Sequence, residues 1–171
     1  VAVVTGGASG MGAATARLFV TEGASVVIAD KQEEAGITLD REIGPKATFV
    51  ATDVGNEFDV ERMIQTAIER YGRLDCLFNN AGFGGVSGEI HETNLGDTYA
   101  VTVAGLLTGP ILGMKYAAPI MRNQKSGSII STASVAALRG GMGPHVYSAL
   151  KAAVIGLTQS VSLELAPFSV R

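Results

Sequence analysis

A doubly wound parallel α/β sheet, three layers deep with helices on both faces, is the fold class that this sequence predicts, and three observations carry it. Hydrophobic residues fill 47% of the 171 positions against 17% charged, with 22 glycines and no tryptophan, a balance that suits a layered protein with many tight turns. Short apolar runs alternate along the chain with segments of helical period. The first apolar run passes through a glycine-rich turn directly into a helix, the setting in which backbone N–H groups hold a phosphate. At this length a single domain over residues 1–171 is expected, without repeat, linker or low-complexity segment.

Charge narrows the function classes. A net charge of -3 provides no basic field for nucleic acid, and no block of like charges marks a membrane patch. No stretch reads as a membrane span or a signal peptide, so a soluble cytoplasmic protein that handles small molecules, without a metal, is expected. The single cysteine, Cys76, sits in the apolar run 74–78, which rules out an intrachain disulfide and predicts a buried, inert thiol in a reducing compartment.

Residues 1–4 form the first strand and run into Thr5-Gly6-Gly7-Ala8-Ser9-Gly10-Met11-Gly12, followed by a helix from about Met11 to Glu22. Gly6, Ser9, Gly10, Met11 and Gly12 are the candidate pyrophosphate cradle, the glycines permitting a tight turn and close approach. The second strand, 25–29, ends in Asp30, 18 residues after Gly12, where an acid can accept hydrogen bonds from adenosine ribose hydroxyls. A carboxylate there repels a 2′-phosphate and favours NAD over NADP, although Lys31 follows directly. Asp30 is also placed to cap the helix over 33–43. The third strand, 47–51, leads to Asp53 and Val54 at the carboxyl edge of the sheet, where Asp53 either lines a ligand site or caps the helix over 57–71. The fourth strand, 74–78, delivers Asn79-Asn80-Ala81-Gly82, whose small residues let a ribose or flat ring lie close to the backbone while an asparagine locks the central strands. Residues 83–92 are read as irregular. A long helix follows over 97–122, interrupted by Gly105, Gly109 and Pro110, with a bend expected at the proline. The fifth strand, 127–132, ends at Ala133-Ser134, and a glycine-rich loop over 138–144 leads to the last helix, which runs to about Leu165.

That helix carries Tyr147 and Lys151, four residues apart and therefore stacked on one face. A free phenol, with a pKa near 10, is a poor acid or base at neutral pH. An ammonium about 4 Å away, at an effective dielectric of about 20, favours the phenolate by on the order of 4 kcal/mol.

Taken together, Thr5 to Gly12 resembles the TGxxxGxG motif of the classical short-chain dehydrogenase/reductases. Asn79-Asn80-Ala81-Gly82 is similar to that family's NNAG and Tyr147-Ser148-Ala149-Leu150-Lys151 to its YxxxK. Ser134, 13 residues before Tyr147, stands where the family keeps its catalytic serine. The resemblance spans the whole sequence and implies a Rossmann-like fold and NAD-dependent interconversion of a secondary alcohol and a ketone. Tyr147 is then the general acid or base, Lys151 its activator and a ligand of the nicotinamide ribose, and Ser134 a donor to the substrate oxygen. Asn80, Ala81, Gly82, Asp53 and Val54 join Asp30 as cofactor-binding residues. A homodimer or homotetramer through the long and last helices is implied as well.

Two departures from the family stand out. Its helix asparagine, which holds a water in the proton relay, is replaced by Leu106 or, on another anchoring, by Thr102. The family's domain also continues beyond the equivalent of Arg171, so the chain reads as a C-terminally incomplete domain, with residues 169–171 beginning a further strand. These departures suit an alternative reading, a catalytically weak or silent dinucleotide-binding or scaffold protein of the same fold.

Overall fold

The sheet of the computed structural model, which describes residues 1–171, contains five parallel strands: β1 (Ala2–Thr5), β2 (Val26–Asp30), β3 (Ala47–Ala51), β4 (Cys76–Asn79) and β5 (Ser128–Ser131). They lie in the order β3-β2-β1-β4-β5, with Val3 opposite Val27 on one side and Leu77 on the other. The chain winds outward from β1 to β3 and then crosses back to β4. The order therefore reverses between β1 and β4, where a crevice opens at the carboxyl ends of the strands.

Strand periodicity builds the three layers. Val3, Val27 and Ala29 point to one face and pack with Val60, Met63, Ile64 and Ala67 of α3 (Glu57–Tyr71) and with Leu112, Ala117 and Met121 of α5 (Gly109–Gln124). Ala2, Val4, Val26 and Ile28 point to the other, against Ala13 and Ala16 of α1 (Gly10–Thr21) and Leu39 of α2 (Glu33–Ile43). Val3, Val4, Val26, Val27 and Ile28 are fully buried, and each such side chain contributes about 1.5–3 kcal/mol.

The helices over 33–43 and 57–71 have the expected bounds, because polar punctuation fixes their ends. Asn56 Oδ1 accepts from Asp59 N at 3.2 Å to cap α3, and Gly72, at φ 77°, ends it. Asp53 is thus not the cap of α3. Nor does Asp30 cap α2, whose first flanking residue is Gln32. The second and fourth strands start later than expected. Leu74, outside β4, is fully buried and pinned by Gln124, whose amide donates to Leu74 O at 2.7 Å and accepts from Leu74 N at 3.0 Å. Cys76 is only half-buried, since its side chain alternates away from the larger core; desolvation still pushes its thiol upward.

The largest correction concerns the long helix. Pro110, where the sequence predicts a bend, lies within continuous helix: α4 (Asp97–Val103) runs into one wide π-turn (Ala104–Thr108) and then α5. Pro110 has no N–H to give to Leu106 O, and the wider turn, closed by Gly109 N on Ala104 O, takes up that gap. Residues 97–124 are consequently one helical rod of 28 residues. With α6 (His145–Leu165) extended to Phe168, two helices are long and apolar enough to cross a membrane, contrary to the sequence expectation. The cause is that the supposed interruptions do not break the helix. The first rod packs on the sheet through α5, whereas only 17% of the apolar window of the second is buried. Beyond β5, Val170 forms a parallel bridge with Gly127, and Ile129 N donates to Arg171 O at 2.7 Å.

Candidate active site

A cavity of about 540 Å³ opens at the β1/β4 crevice. Its floor is the turn after β1, where Gly6 (φ 61°) and Gly10 (φ 51°) take the left-handed conformation. A Cβ on Gly12 would stand 2.0 Å from Gly6 O, so only glycine lets α1 approach the turn this closely. A Cβ on Gly10 would meet nothing within 4 Å and would project into open space. This open floor at a helix N-terminus fits a pyrophosphate. On one wall the buried Asp30 accepts from Ala8 N and Gln32 N, each at 3.0 Å, which fixes the carboxylate and leaves lone pairs for a diol. Asp53 and Val54 form the next wall, with Asp53 Oδ1 held by Gly55 N at 2.9 Å.

The opposite wall depends on Thr5. Its buried Oγ1 accepts from Asn80 N and Ala81 N, each at 3.0 Å, and Asn80 Nδ2 donates to Thr5 O at 3.0 Å. These bonds hang the loop after β4 on the end of β1. Asn79 locks β4 to β5 by donating to Ser131 Oγ at 3.3 Å.

Ser134, Tyr147 and Lys151 do not line this cavity but stand beside it. Lys151 is 4% exposed and its ammonium donates to Thr132 O at 2.7 Å, with Nζ 5.8 Å from the centroid of the Tyr147 ring. It is also near Gly82, where an added Cβ would lie 3.7 Å from Nζ, so the lysine links the tyrosine to the cavity wall. Desolvation holds the ammonium below the usual lysine range. Ser134 Oγ accepts from Ala136 N at 3.2 Å in the 3₁₀ turn Val135–Ala137, which packs on α6. Because Oγ is the acceptor there, its proton is left to donate elsewhere.

Each proposed cofactor residue from Gly6 to Gly82 that the sequence pointed to lines the cavity or shapes its floor. Leu106, and not Thr102, faces the site: Leu106 is fully buried with Cδ2 3.6 Å from a Cβ placed on Gly82. Thr102 is committed elsewhere, donating to Thr98 O at 2.6 Å and accepting from Val86 N at 3.1 Å. Sequence reasoning did not assign to the cofactor cavity the wall formed by Phe83, Val101, Ala104 and Gly105, nor foresee the carbonyl of Thr132. Phe83, directly after Gly82, was within reach of the motif; the residues on the π-turn carry no local signal.

A family model described as short chain dehydrogenase matches residues 1–171. Among curated relatives the chain is 45% identical over 172 residues to momilactone A synthase of Oryza sativa subsp. japonica, covering all of this chain and 63% of that protein. It is 46% identical to the sex determination protein tasselseed-2 of Zea mays and 44% identical to the mitochondrial borneol dehydrogenase of Lavandula x intermedia, again over its full length, covering 52% and 65% of those proteins. The chain thus spans between about half and two thirds of these relatives. In structure it is similar to a 3-ketoacyl-(acyl-carrier-protein) reductase of Brucella melitensis complexed with NADH, at a TM-score of 0.94 and 30% identity over 99% of this chain and 72% of that one. Matched by that model from its first residue to its last, the chain belongs to the short-chain dehydrogenase family.

Proposed function

We propose that the chain carries the cofactor site and proton-transfer residues of an NAD(H)-dependent oxidoreductase that interconverts a secondary alcohol and a ketone. The observation that supports this most is the burial of Lys151 beside the cavity with one backbone carbonyl, and no carboxylate, as hydrogen-bond partner. Burying an ammonium in that way is costly, and a purely structural helix position has no use for it.

Bound nicotinamide dinucleotide would supply or accept the hydride. Gly6, Ser9, Gly10, Met11 and Gly12 would seat its pyrophosphate, Asp30 its adenosine ribose, Asp53 and Val54 its adenine, and Asn80, Ala81 and Gly82 its central backbone. Tyr147 gives its phenolic proton to the carbonyl oxygen in reduction and takes it back in oxidation. Lys151 stabilises the phenolate by its charge and binds the nicotinamide ribose, and Ser134 donates its free hydroxyl proton to the substrate oxygen. Asp30 disfavours a 2′-phosphate, so NADH binds more tightly than NADPH; tighter binding of NADPH in a fluorescence titration would refute that preference.

A homodimer or homotetramer belongs to the same reading. The second reading, a silent dinucleotide-binding protein, is favoured by Leu106, an aliphatic side chain where the family has an asparagine. Tyr147→Phe separates the two. On the enzyme reading it lowers turnover of a ketone panel by about 10²- to 10⁴-fold while NADH affinity stays within a few fold. A wild-type chain that binds NADH but turns over none of the panel, with the variant no different, supports the silent reading.

A further inference from the structure

Phe83 belongs to no recognised motif, yet its ring spans the cavity. It is seated on the π-turn, where a Cβ on Gly105 would be 2.6 Å from Cε1, and the Lys31 ammonium lies 5.8 Å from its centroid. Lys31 follows Asp30, and Gly105 follows Ala104 and Val101 on the facing wall, so the ring stands between the ribose-binding acid and the apolar side of the cleft. That is the space an adenosine would fill.

The backbone around Phe83 is anchored on both sides and free between the anchors. On the N-terminal side Asn80 and Ala81 are tied to Thr5. On the C-terminal side Val86 N is tied to the buried Thr102 hydroxyl, and Gly85, at φ 70°, packs so tightly on Thr102 that a Cβ would lie 2.3 Å from its methyl. Between these anchors hang only Gly82, Phe83 and Gly84. A phenylalanine flanked by two glycines can rotate without disturbing either anchor. The ring is 41% exposed, and a cation–π contact near the outer limit of range is weak.

We propose that Phe83 is an aromatic latch over the adenosine half of the cleft, held closed by Gly105 and Lys31, which must swing aside before a dinucleotide seats and so sets the rate of cofactor entry. The proposal rests on the dinucleotide-binding reading above. Its test is stopped-flow association of NADH with wild type and Phe83→Ala, followed by fluorescence, with circular dichroism confirming the fold. Removing a closed state that holds most of the population raises the apparent association rate by about five- to tenfold and leaves the dissociation rate unchanged. In wild type the observed rate levels off at high NADH, where opening limits it, and in the variant it stays linear. Should the alanine variant fail to fold, Phe83→Leu, which offers Lys31 no ring face, shows the same direction. Faster dissociation with unchanged association would mean the ring stacks on bound adenosine and would overturn the latch. Unchanged kinetics would overturn the latch while leaving dinucleotide binding intact, whereas a wild-type chain that binds no NADH would overturn both.

Discussion

Lys151 shows how one residue couples stability to the proposed chemistry. Its protonated form is penalised in the folded chain by desolvation, so its folded pKa lies below the ordinary 10.5. Between that depressed value and 10.5 the unfolded chain holds more protons than the folded one, and stability rises with pH across the window. Below the window the full penalty is present. Lys151→Met keeps the length and removes the charge, while the freed carbonyl of Thr132, on a half-buried residue, can turn to water. The variant is therefore expected to melt above wild type near neutral pH, with the gap closing as pH climbs toward 10.5, and to lose turnover. Thermal melts over a pH series decide it, and a gap that is absent or independent of pH would show that the buried charge carries no penalty. The spacing of Tyr147 and Lys151 was readable because it is local. Thr132, which accepts the lysine's hydrogen bond from β5, was not, since nothing near Thr132 in the chain announces a partner on α6.

At the scale of elements, the turn between β1 and α1 separates two uses of glycine. Gly12 is required by contact: its Cβ would stand 2.0 Å from a backbone oxygen, which cannot retreat as a side chain can. Gly12→Ala is expected to cost about 3 kcal/mol or more, at the upper end of overpacking. Gly10 is required by conformation alone, with φ 51° and open space around it, so Gly10→Ala costs about 1–2 kcal/mol. Its new methyl would nevertheless project into the cavity and abolish NADH binding in a chain that still folds. Urea unfolding ranks the two, and equal midpoints would contradict the geometry. Both glycines belong to a motif that is contiguous in sequence, which is why this element was legible. The π-turn was not. Gly105, Gly109 and Pro110 read as breakers, and what bears on the rod there is tertiary: Gly109 lies so close to Val54 that an added Cβ would stand 3.0 Å from Val54 Cβ.

For the whole molecule, five parallel strands and their helices followed from apolar runs of the right length, and the cavity floor from motifs at the strand ends. The far wall comes from the long helix where it passes the cavity, a placement that no spacing along the chain reveals. The same packing leaves α6 unevenly covered. Leu150, Lys151, Val154 and Leu165 are buried, whereas Leu163 is 79% exposed, and on the neighbouring α5 Ile111 is 42% exposed. α5 and α6 pack against each other, so their outer faces form one continuous surface. A second copy meeting that surface would bury side chains that now face water, and a stable dimer needs about 800 Å² from each partner. Sedimentation equilibrium is therefore expected to show a dimer or tetramer, and Leu163→Glu to shift it to monomer by placing a charge in the apolar contact. An exposed substitution changes monomer stability by only about 0.5 kcal/mol, so a chain that stays folded yet dissociates identifies the interface. A wild-type chain that remains monomeric at the highest concentrations reached would remove the oligomer from the proposal and leave the exposed α6 face without a partner copy.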